Sequence, residues 1–150
     1  MNPARQRGTT TVEFAIVGMV ALALLFVIVE FGRILFTLNV LDESARRAAR
    51  VAAVCAVGNG AIADAAKFVS LPNFTASNVV TEYLDDAGAV LGDPSGADYG
   101  QITYVRVRIV GYSFPVAIPL LATAFTAPQI SSTLPRESLG VPKFGVAPAC

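Results

Sequence analysis

The stretch FAIVGMVALALLFVIV, Phe14 to Val29, is apolar throughout and carries no charge. With Thr9 to Glu13 added it covers about 21 residues, close to the ~20 that cross a hydrocarbon core, and no other stretch of the chain suits a bilayer span. A single membrane helix is therefore the first expectation. The rival is a secretory signal peptide, since arginines ahead of an apolar run also describe its opening regions. Such a run covers about 7 to 15 residues and ends at a small-residue cleavage site. Here it is longer and continues through EFGRILFTLNVL. Glu13 stands where the span begins, and a carboxylate there needs a reason.

The continuation keeps helical spacing. Ile34, Leu38, Leu41, Ala45, Ala48, Ala52 and Cys55 follow steps of four and three, a narrow apolar seam. Asp42 precedes Arg46, and Glu43 precedes Arg47, by four residues on the opposite side, the favourable order for helical ion pairs. Gly58-Asn59-Gly60 supplies a stop signal. One helix from Thr9 to Val57 has about 49 residues and a length near 74 Å at about 1.5 Å per residue. Its seam passes from large side chains to alanines, so its second half is expected directly against a sheet.

Beyond it, AIADAAKFVSL reads as a short helix ended by Pro72, and NVVTEYL as a strand running into a turn at Asp85-Asp86-Ala87-Gly88. ITYVRVRIVGY is the clearest strand: Thr103, Val105, Val107 and Ile109 face one way, and Tyr104, Arg106 and Arg108 the other. SFPVAIPLLATAFTAP is too short and too proline-broken for a span and reads as a segment covering the core. QISSTLPRES reads as an edge strand, where Pro135 is tolerable. The fold class is α+β: a long N-terminal helix backed by about three antiparallel strands.

Composition narrows function. Apolar residues make up 54% of the chain and charged residues 15%, with a net charge of zero, so no basic excess recommends nucleic acid. There is no histidine, and only two cysteines, Cys55 and Cys150, which leaves no imidazole catalysis and no Cys/His zinc site. Phosphate-binding loops, dinucleotide fingerprints and nucleophile elbows are absent from the sequence. The expectation is a protein that is no enzyme and uses no cofactor or metal.

Basic residues, then glycine, then an apolar helix with glutamate at the fifth position after the glycine resembles the processing signal of type IV pilin-like proteins. RQRG followed by TTTVEFAIV carries it. More narrowly, VEFAIV, VEFGRILFTLNVLDESARRAARVAA and the distal TLPRES resemble TadE-like pseudopilins of the tight-adherence (Flp/Tad) pilus. The resemblance is dense over residues 5 to 54, thin through the loops, and returns near 102 to 138. It implies a structural minor pilin or pseudopilin that serves pilus assembly or initiation and surface adhesion. The implied partners are a prepilin peptidase, other pilin-like subunits, an inner-membrane assembly platform and the lipid bilayer.

The implied layout is a leader at 1–8, a transmembrane half-helix at 9–32, a periplasmic half-helix at 33–57 and a periplasmic domain at 58–150, anchored in a bacterial inner membrane with a cytoplasmic N-terminus. Arg5 and Arg7 lie on the leader side, whereas Arg33, Arg46, Arg47 and Arg50 lie on the other, so a plain positive-inside count opposes this orientation. The processing signal outweighs the count because the downstream arginines belong to an acid-paired helix. Cleavage is implied between Gly8 and Thr9. Threonine stands where many major pilins have phenylalanine, which leaves N-methylation open.

A carboxylate at the centre of a membrane helix costs about 2.5 to 3.5 kcal/mol on insertion scales and usually has a partner. The resemblance implies that Glu13 meets the freed amine of Thr9, on its own or an adjoining subunit; the alternative is an acid resting at the lipid interface. Glu30 and Arg33 have two readings, a subunit-contact pair and a simple interfacial i,i+3 pair. Cys55 and Cys150 also have two: a bridge formed in an oxidising periplasm that pins the C-terminal tail to the helix, or two free thiols. The competing functional class is a single-pass anchored periplasmic binding module that never enters a filament and keeps its N-terminus.

Overall fold

The computed structural model describes residues 7–118, 121–141 and 150. Residues 1–6, with Arg5, and residues 119–120 and 142–149 lie outside that set. The chain is α+β. Helix α1, Arg7–Val54, is one unbroken element of 48 residues, followed by a short helix α2, Ala61–Ala66. Five strands follow: β1 (Val79–Leu84), β2 (Tyr104–Ile109), β3 (Ser113–Ile118), β4 (Leu121–Thr126) and β5 (Ile130–Pro135).

The main sheet is antiparallel, in the order β1-β2-β5. β2 shows the alternation read from its sequence. Val105, Val107 and Ile109 are buried, while Tyr104, Arg106 and Arg108 occupy the outer face. β5 is an edge strand, and Pro135 ends it opposite Tyr104, where a missing N–H costs the ladder little.

Three expectations need correction. SFPVAIPLLATAFTAP is not a mere cover: β3 and β4 form a separate antiparallel hairpin that pairs Phe114 with Phe125. Prolines hid its strand character from a reading of the sequence. The short helix ends at Ala66, well before Pro72. The long helix ends at Val54, before the Gly58 signal. Its end is set by the chain returning after β5. Glu137 N–H donates to the Ala53 carbonyl at 3.0 Å, Gly140 N–H to the Val54 carbonyl at 2.7 Å, and the Ser138 hydroxyl to the same carbonyl at 3.0 Å. Terminal carbonyls that no further helical turn can satisfy are thus bonded by a distant segment.

The helix face against the sheet is broader than the seam. Ala45, Ala48 and Ala52 are fully buried as expected, and Val40, Ser44, Ala49 and Ala53 are buried beside them. The stripe is the wide one of a helix on a sheet, not a coiled-coil seam. Two clusters build the core. Ala48, Ala49 and Ala52 meet Ile62, Tyr83, Ile102, Val105 and Val107, and Leu41 and Ala45 meet Ile109, Tyr112 and Phe114. Tyr112 donates its hydroxyl to the Pro72 carbonyl at 3.0 Å. It lies between Phe74 and Phe114, with ring centroids 5.6 and 5.9 Å away.

Candidate functional site

Among the described residues, the apolar side chains in the first half of α1 stand exposed. Val12, Phe14, Ile16, Val17, Met19 and Val20 are more than half exposed, and exposed apolar side chains continue to Phe36. Among the described residues this is the one helix long and apolar enough to cross a membrane, and none of its most apolar window is buried. Gly8 and Thr9 lie in its opening turns and Glu13 one turn further on, exposed. Four residues of helix place Glu13 about 6 Å along the axis from Thr9. The short separation follows from helix geometry, because residues four apart share a face.

Glu30 and Arg33 close on each other as an i,i+3 pair, with Arg33 Nε donating to Glu30 Oε2 at 3.0 Å and Nη2 to Oε1 at 2.5 Å. The pair has a third participant that sequence reasoning missed. Glu30 Oε1 accepts the Ala117 N–H of β3 at 3.0 Å, and Arg33 donates to the Pro115 carbonyl. Residues two apart in a strand present their backbone groups to the same edge. The ion pair therefore supplies β3 with an acceptor and a donor, as a neighbouring strand would. Glu30 is only 6% exposed, and the Arg33 guanidinium also lies 5.6 Å from the Phe114 ring centroid. Proline at 115, which has no N–H to leave unpaired on that edge, was the available signal in the sequence.

The cytosol-versus-periplasm conflict over arginines has a structural counterpart. Arg46 pairs with Asp42, and Arg47 with Glu43 at 2.8 Å; Arg47 also stacks 3.9 Å from the Phe68 ring. The hydrogen bond from Arg47 holds the Glu43 carboxyl below the usual carboxylate range. On the outer face of the main sheet Glu82 takes both Arg106, at 2.6 Å, and Arg108, at 3.0 Å. The two arginines thus share a single carboxylate across the strand pair.

Cys55 and Cys150 are joined in a disulfide across 95 residues of sequence, with Cα atoms 5.8 Å apart. Cys55 is buried at the end of the helix, beside the carbonyls that Glu137 to Gly140 satisfy. The C-terminal residue is thus fixed to the point where the helix stops.

Comparison with curated proteins and with solved structures gives no match. The family model described as TadE-like protein matches residues 8–50, which run from the residue before Thr9, through Glu13 and the Glu30–Arg33 pair, to the alanine-rich packing face. Over this helix, and not over the domain that follows it, the chain is similar to TadE-like proteins.

Proposed function

We propose that the chain is a minor pilin or pseudopilin that serves assembly or initiation of a Tad-type pilus, cut by a prepilin peptidase between Gly8 and Thr9, and is not an enzyme. The observation that carries this reading is the division of α1: an exposed apolar half and a half covered by a folded domain, within one rigid element that the TadE-like match follows. A helix of this kind can leave lipid and pack against identical or related helices without refolding its domain. Glu13 then has a specific task. In an apolar bundle its charge is costly unless paired, and the freed Thr9 amine of an adjoining subunit offers the pairing that sets register. The orientation, with the domain in the periplasm, rests on the TadE-like match over the apolar half-helix; Arg33, Arg46 and Arg47, which a plain count sets against it, belong to a folded, acid-paired stretch of helix.

Two measurements on protein from the native host test this. Mass spectrometry of the mature chain is expected to find residues 1–8 missing, and Gly8→Leu to leave them in place. An intact Met1 in the wild type would favour the anchored binding module instead. Glu13→Gln is expected to leave insertion and cleavage intact, because it makes the span more apolar, while abolishing crosslinks to other pilin-like subunits and reducing piliation. Glu13→Asp, with the charge but a shorter reach, is expected to fall between. Wild-type crosslinking in Glu13→Gln would reduce the residue to an interfacial acid.

A further inference from the structure

We infer that the β3–β4 hairpin is a second membrane-seated element, lying in the interfacial zone of the bilayer that α1 crosses. The reasoning starts on the helix. Exposed large apolar side chains run from Val12 to Phe36, with Phe31, Leu35 and Phe36 beyond or beside the Glu30–Arg33 pair. At about 1.5 Å per residue that band is roughly 36 Å long, more than the ~30 Å hydrocarbon core, so its last turns reach the headgroup region. Glu30 and Arg33 lie inside the band.

The hairpin is bonded at that level. Phe114 packs in the cluster with Leu41, while Ala117, three residues along β3, bonds Glu30, which lies three turns of helix closer to the N-terminus. β3 therefore runs along α1 toward the apolar half, not away from it. Its composition suits that direction. From Ile109 to Pro135 there is no Asp, Glu, Lys or Arg, although the domain on either side of this stretch is charged. Among the described residues of the hairpin, the exposed positions Ser113, Pro115, Ala117, Ala124 and Thr126 are small and uncharged. An uncharged hairpin can lie on the acyl side of the interfacial zone, where a charge becomes costly as it nears the hydrocarbon.

The ion pair completes the argument. Where water is scarce, backbone groups on a strand edge must be satisfied within the protein. Glu30 and Arg33 do this for the edge of β3 nearest the span, and Pro115 removes a donor from it. A charged pair in the last turns of the span is in turn shielded by the hairpin it holds. The inference rests on α1 crossing the bilayer, and requires neither cleavage nor filament entry.

The test uses the full oxidised chain in phosphatidylcholine/phosphatidylglycerol vesicles, with a fluorophore on one introduced cysteine, because Cys55 and Cys150 are bridged to each other. Positions are Ala124→Cys on the hairpin, Leu25→Cys on the exposed half of α1 and Thr133→Cys on the outer face of β5, each quenched by doxyl groups on the lipid or by aqueous iodide. Lipid quenching at Ala124 is expected to exceed that at Thr133 at least twofold, with iodide quenching in the reverse order. Leu25 quenched by lipid but Ala124 matching Thr133 would overturn the hairpin inference and leave the span standing. The same result at Ala124 combined with burial of that site only after pilus assembly would assign the hairpin to a neighbouring subunit instead. No lipid quenching at Leu25 would overturn both.

Discussion

Gly140 shows what one residue decides. Its φ of +78° is left-handed, and a Cβ there would meet the backbone N and Cα and the side chain of Ala56 at 3.0 Å. Gly58 has a similar φ of +74° with open space around it. The two positions separate backbone strain from close approach. Gly58→Ala is expected to cost about 1 kcal/mol through the left-handed conformation alone. Gly140→Ala is expected to cost roughly 1 to 2 kcal/mol more, since it also displaces the segment that bonds the helix-terminal carbonyls. Denaturant midpoints of the two variants check this, and equal losses would mean that the approach to Ala56 relaxes freely. Tyr83 gives a second expectation at this scale. Burial, partly offset by the Gly58 N–H bonded to its oxygen, pushes its phenol above the ordinary value near 10. The folded state holds that proton more tightly than the unfolded chain. Its stabilising effect is therefore complete below about pH 10 and is lost as pH rises through the raised folded value. Midpoints measured from pH 8 to 11 are expected to fall at the alkaline end, and less steeply in Tyr83→Phe.

At the scale of elements, the alanine face of α1 fixes how closely helix and sheet approach. Ala48 is fully buried, in the cluster that also holds Val105 and Val107. A leucine there has no space to occupy. Ala48→Leu is expected to destabilise the domain by about 1 to 3 kcal/mol through overpacking, and Ala48→Gly by about 1 kcal/mol through helix propensity. Arg50→Leu, on an exposed position of the same helix, is expected to be near neutral. Thermal or urea unfolding distinguishes these, and a stable Ala48→Leu would show that the sheet can move outward. The elements also mark the limit of pattern reading. β2 alternates over six residues between a covered and an outer face, so its sequence announces it. The hairpin has no charged side to alternate with, and its prolines read as breaks. Its strands became evident only from their pairing.

For the molecule as a whole, the disulfide ties the end of the chain to the end of the long helix. A loop of 95 residues is closed by it. A bridge over a loop of that length typically contributes about 2 to 4 kcal/mol by restricting the unfolded chain. The Cys55→Ser/Cys150→Ser chain is expected to unfold at correspondingly lower denaturant while keeping the β1-β2-β5 sheet. Thiol labelling of the unreduced wild type is expected to find no reactive cysteine, and two labelled sites would remove the bridge. By itself the sequence determined the long helix, its apolar half, the Asp42–Arg46 and Glu43–Arg47 pairs, the facing of β2 and the edge position of β5. Each depends on periodicity or on spacing within one element, which the chain carries locally. Tertiary structure alone decided where α1 ends, how wide its buried stripe is, and that Glu30 and Arg33 hold the edge of β3. The width follows from which side chains the sheet covers; the other two depend on groups from residues more than 80 positions away, and a backbone N–H or carbonyl leaves no mark in the sequence of the side chain that will satisfy it.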